Sequence, residues 1–130
     1  MSIETALYSY LASYAGLTAL IGDRIYPLVI PEQASLPAIA YQRISTRFTY
    51  SHDGDSELDR PRFQFSCVAA TAKAAREVRD QVVAALSAYS GDMQGVNVGV
   101  SFIENEMDGY EPQPTDAYAM RVDALIWHDR

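Results

Sequence analysis

Five residues able to hold a metal or move a proton crowd one stretch of this chain: His52, Asp53, Asp55, Glu57 and Asp59. Carboxylates gathered in a loop suit a hard cation such as calcium, and Asp53-Gly54-Asp55 has a superficial likeness to a calcium turn. The spacing of a calcium-binding loop, D-x-[DN]-x-[DN]-G-x5-E, is absent. Transition metals commonly take several His or Cys ligands. The only other histidine is His128, and Cys67 is the only cysteine. Asp53-Gly54-Asp55 has, equally, the residues that a solvated turn demands.

Other chemistry is no better provided for. Glu104, Glu106 and Asp108 cluster around Met107 and could form a carboxylate pair, but they also suit the edge of a polar loop. No G-x-S-x-G nucleophile elbow occurs. The glycines of Gly95-Val96-Asn97-Val98-Gly99-Val100 lack the Lys-Ser/Thr and the following helix of a phosphate loop. Cys67 lies in a strand-like run, and its expected role is that of a small buried apolar residue. A lone cysteine also rules out an intramolecular disulfide and a cysteine-built zinc site. The expectation is no catalytic residue, no cofactor and no metal. Tyr is enriched at protein interfaces because it joins apolar area to a polar tip. Some of the nine tyrosines fit no core stripe, and Trp127 falls opposite the core stripe of its strand.

The elements that position these residues follow from periodicity. Length fits one domain, 1–130, and 48% hydrophobic residues suffice for a packed core. Ten basic against seventeen acidic residues, a formal charge of −7, argue against tight binding to a phosphate backbone. No apolar run approaches the ~18 residues of a membrane span, and the N-terminus lacks the basic start of a secretory signal. Ser2 caps a helix with a stripe of Ile3, Leu7, Tyr10, Leu11 and Tyr14, and Gly16 is its expected stop. Leu17 to Ile21 makes a further short turn, and Arg24 to Pro27 is briefly extended. Ala38 to Arg47 and Arg62 to Ala69 read as paired strands, separated by a polar loop of roughly a dozen residues where about 2–5 are usual. Thr71 caps a helix reaching Tyr89. Val96, Val98, Val100 and Phe102 alternate in a third long strand. After a second polar loop, Asn105 to Thr115, Tyr118, Met120, Val122, Ala124 and Ile126 alternate in a fourth. The fold class expected is α+β: a two-layer domain, mainly an antiparallel sheet of about four strands, with two helices on one face and a long extended hairpin loop.

Three segments in this order carry a resemblance: IGDRIYP (Ile21 to Pro27), LPAIAYQRIS (Leu36 to Ser45), and the polar loop followed by RFQFSC (Arg62 to Cys67). With the terminal AYAMRVDALIWH, the chain from Ala6 to His128 resembles the tail-completion, or tail-to-head joining, proteins of tailed bacteriophages and prophages. The resemblance implies a non-enzymatic structural protein with a fold similar to that of tail terminators. It implies a ring, typically of six subunits, at the head-proximal end of the virion tail, assembled in the host cytoplasm. Its implied partners are further copies of itself, the tail tube protein and the head connector or stopper. DNA would pass through without specific binding, and no membrane is involved.

Within that expectation the polar loop is an assembly arm, mobile in the free chain and ordered on assembly. The candidate interface residues are Arg47, Tyr50, His52, Asp53, Asp55, Glu57, Asp59, Tyr110 and Trp127. Two alternatives remain open from the residues themselves: a small metal-dependent enzyme using the His52 loop, and a dimeric host protein-interaction module.

Overall fold

The computed structural model describes residues 2–31, 33–51, 54–111 and 117–129, and of these 46–51, 54–59, 110, 111 and 129 by their backbone alone. The Ser2 hydroxyl accepts the Thr5 amide and starts helix α1, Ile3–Ala12, which buries Ile3, Ala6, Leu7 and Leu11. Gly16 does not end this helix. The chain breaks at Ser13 and Tyr14, and Gly16 lies within a second helix, α2, Ala15–Ile21. The Thr71 hydroxyl accepts the Ala74 amide and starts α3, Ala72–Leu86. Its buried stripe is Ala75, Val78, Val82, Ala85 and Leu86, and it stops short of Tyr89.

Among the described residues six strands form one sheet: β1 (Ile25–Pro27), β2 (Ala38–Ser51), β3 (Gly54–Ala69), β4 (Gly91–Met93), β5 (Val96–Glu111) and β6 (Ala117–Asp129), in the order β1-β2-β3-β6-β5-β4. The sheet is mixed and curled into a half-barrel, with three helices. This corrects the expected four-stranded, mainly antiparallel sheet with two helices. Both additional strands are three residues long: β1 lies in the expected extended segment Arg24 to Pro27 and joins the sheet, whereas β4 is too short for an alternation pattern to register. β1 pairs parallel to β2 because the irregular connection between them carries the chain back to its starting end. β4 meets β5 through the two-residue turn Gln94-Gly95, with φ of 49° and 98°. Positive φ at both positions is the geometry that matches strand twist in tight hairpins.

The core lies between the helices and one sheet face. It joins Leu7, Leu11, Leu17 and Ile21 to Val78, Val82, Phe63, Phe65, Cys67, Val98 and Ile126. On β6 the predicted stripe of Met120, Val122, Ala124 and Ile126 faces this core, and His128 continues it at 6% exposure. On β5 the prediction fails halfway. Val98 sits opposite His128 and Val100 opposite Trp127, so Gly99 is an extra residue. That bulge reverses the phase as far as Ile103, and a second extra residue, Glu104, restores it. Ser101 therefore takes the buried place, and Phe102, expected in the core, is 47% exposed on the other face.

The long polar loop expected between the first two long strands is itself strand. The β2–β3 ladder continues past Arg43↔Phe63 through Arg47↔Arg60 and Thr49↔Leu58 to Ser51↔Gly54. The second expected loop shortens likewise, since β5 runs on to Glu111. At 14 and 16 residues, β2 and β3 are far longer than the ~5–6 usual in a domain. Turn-forming composition suggested loops, but cross-strand pairing overrode local preference.

Candidate assembly surfaces

Register places the candidate residues in separate parts of the sheet. Arg47 stands opposite Arg60, Tyr50 opposite Asp55, and Asp59 between Phe48 and His128. Together with Glu57 these lie on the β2–β3 hairpin. Its tip extends beyond Leu58↔Asp129, the last pairing with β6. His52 and Asp53 lie outside the described residues. Tyr110 is in the β5–β6 hairpin, opposite Tyr118, and Tyr118 is level with Ala69 at the far end of β3. The two hairpins thus point to opposite ends of the sheet, and the described backbone positions among the nine candidates fall at both ends.

Trp127 lies at the root of the β2–β3 hairpin, on the face away from the helices. The Arg60 guanidinium stands 4.7 Å from the centre of its ring. Neither the indole N–H of Trp127 nor the buried Nε of Arg60 has a hydrogen-bond partner among the described residues. Beside them Arg62 pairs with Glu104 at 2.6 Å, next to the exposed Phe102. Of the residues in this aromatic and cationic corner, only Trp127 was expected at an interface; the alternation placed Phe102 in the core. An isolated glycine inside a strand pattern, here Gly99, is the signal that could have revealed it, because such glycines mark bulges.

Both long hairpins leave backbone edges open. β1 covers β2 only from Ile39 to Tyr41, and β4 covers β5 only from Val96 to Val98. Beyond these, Leu28 N–H donates to Tyr41 and Ser101 N–H to Tyr89. Residues 42–51 of β2 and 102–111 of β5 therefore have no strand on their outer sides among the described residues. Exposed edges of that length invite pairing with another chain.

The helix side of the sheet is stabilised differently. Arg43 pairs with Glu4 and lies 5.7 Å from the Phe63 ring centre, closing the end of the core. Tyr10 donates to the Ala85 carbonyl at 2.7 Å and packs on Tyr89. Burial first, then the neighbouring Tyr89 and Tyr14, push the Tyr10 phenol up from its ordinary value. Cys67 is fully buried, and desolvation pushes its thiol up to about 12 despite Arg79. A thiol held neutral is a poor nucleophile.

No group of three His, Cys, Asp or Glu residues able to hold a metal occurs among the described residues. A shallow open groove lies between α3 and the β5–β6 hairpin, lined by Ala72, Arg76, Asp108, Gly109, Tyr118 and Met120. Arg79 crosses from α3 to Asp108 at 3.3 Å, tying helix to hairpin.

Comparison with known proteins matches residues 5–129 to the family described as tail completion protein gp17. No curated protein matches. A solved structure described as the virion of a native gene transfer agent (GTA) particle contains a chain of similar fold, at TM-score 0.82 and 16% identity. The likeness covers 99% of this chain and 96% of that one.

Proposed function

Because the chain belongs to the phage tail completion protein gp17 family, whose members are virion structural proteins, we propose that it forms a ring at the head-proximal end of the tail. There it completes the tail tube and joins it to the head connector. Assembly takes place in the host cytoplasm, and the ring stays in the finished particle. Family membership across residues 5–129 is the observation that carries this reading. The sheet supports it, since two hairpins outrun the core in opposite directions and a structural subunit has a use for such reach.

A ring needs one patch to meet a different patch on the next subunit, with closure ending growth. Six copies with a central passage let DNA through. A formal charge of −7 per chain favours a passage that repels the phosphate backbone instead of gripping it. A strongly basic lumen in an assembled ring would remove that part of the reading.

The test is deletion of residues 53–58 in the phage or prophage. The deletion spares every core residue among the described side chains. The expected result is a folded protein with separate full heads and free tails in electron micrographs. Normal numbers of joined particles would overturn the reading of the hairpin as an assembly arm.

A further inference from the structure

We propose that neighbouring copies join edge to edge: residues 102–111 of β5 in one copy pair antiparallel with residues 42–51 of β2 in the next. This rests on the ring reading and says how the ring closes.

Four observations converge. The two open edges have equal length, ten residues each. They border opposite sides of one sheet, so joining them is heterologous and can propagate around a ring. β2 is antiparallel to β3, β3 to β6, and β6 to β5. Thus β2 and β5 run in opposite directions, and two copies placed side by side in the same orientation present antiparallel edges. Finally, their charges are opposite. The β5 edge carries Glu104, Glu106, Asp108 and Glu111 and no base, while the β2 edge carries Arg43 and Arg47 and no acid. Opposite charges across a pair favour it, and like charges disfavour it. An acidic edge also resists pairing with another copy of itself, which blocks the isologous dimer.

Closure is geometrically reasonable. Met107 is level with Arg121, Ser66 and Ala40 across the sheet. Setting Met107 opposite Arg47, which the register puts on the same face, therefore staggers successive copies by about six residues, Ile44 being an extra residue in β2, or ~20 Å at the usual rise along a strand. Each copy contributes β2, β3, β6 and β5 to the continuous sheet, about 19 Å of width at normal strand spacing. The strands then tilt by roughly 45° to the ring axis, at the upper end of the range that closed barrels use.

The register puts Glu106 on the face of Val122, toward the helices, and Arg47 on the face of Arg60 and Trp127, so these two do not meet across a junction; Met107, level with Arg121, shares the face of Arg47. The test is therefore a cross-link. Met107→Cys and Arg47→Cys replace the chromosomal copy in a prophage, separately and together in one chain. Tails are assembled in reductant and then oxidised; linked copies are read on a non-reducing gel and rings on tails by negative-stain microscopy. The expected outcome is a ladder of linked copies in the double variant at least tenfold above either single variant, reversed by reductant. If the double variant forms rings without the ladder, the edge pairing is overturned while the ring reading stands. If wild-type tails carry no ring, the ring reading itself fails.

Discussion

At the residue scale, the clearest statements concern groups held away from water. Cys67 combines full burial with a thiol pushed up to about 12 from 9.0. The folded chain then holds its proton more tightly than the unfolded chain. This contribution to stability is complete below pH 9 and is lost as the pH rises from 9 through 12. Urea midpoints should accordingly fall across that window, and Cys67→Ala should flatten the fall. At neutral pH the native thiol should resist a maleimide that labels it readily in denaturant. Trp127, the only tryptophan, is a built-in reporter for the opposite face. Arg60→Ala removes the cation above its ring, worth about 0.5–1 kcal/mol at a partly exposed site. The measurable effect is a shift in tryptophan emission with a small change in stability; unchanged emission would contradict the stacked geometry.

At the element scale, alternation identified which long strands carry the core, and bulges decided how far each alternation holds. β3 keeps strict phase: Phe63, Phe65 and Cys67 are all fully buried. Phe65→Ala should cost about 3–5 kcal/mol, because a large ring leaves a cavity that close-packed neighbours refill only partly. A loss under 1 kcal/mol by urea unfolding would mean that the site collapses. β5 breaks phase at Gly99, so Phe102→Ser, predicted from simple alternation to be severe, should change stability by under about 1 kcal/mol. The contrast between these two phenylalanines checks the bulge directly. The polar hairpin was misjudged for a related reason. Ser, Asp and Gly between Tyr50 and Arg60 have strong turn preferences, yet β2 gives the β3 backbone partners out to Gly54, and β6 adds partners from Leu58 onward.

For the whole molecule, the arrangement of strands matters more than any single contact. Among the described side chains the core draws on none of β2 or β3 between Tyr41 and Phe63, and an open edge is a liability unless something covers it. Deleting residues 53–58 should therefore leave the thermal midpoint of the isolated protein within a few degrees of wild type, while joining is lost. A large drop in melting temperature would show that the arm supports the fold as well.

Much of this was legible in the chain itself. Helix starts at Ser2 and Thr71 follow from local hydrogen-bonding chemistry that acts within three residues. The core stripes of β3 and β6 follow from a period-two pattern, and the burial of Cys67 follows with them. The family resemblance rests on short segments in a fixed order. What only tertiary structure decided is non-local: the added strands β1 and β4, the phase change at Gly99, and the conversion of two polar loops into ladders. Each depends on which backbone lies alongside, and backbone amides and carbonyls are alike in every residue. Side-chain pattern does not record where they find their partners, so it did not show that β2 and β5 end in open edges of opposite charge.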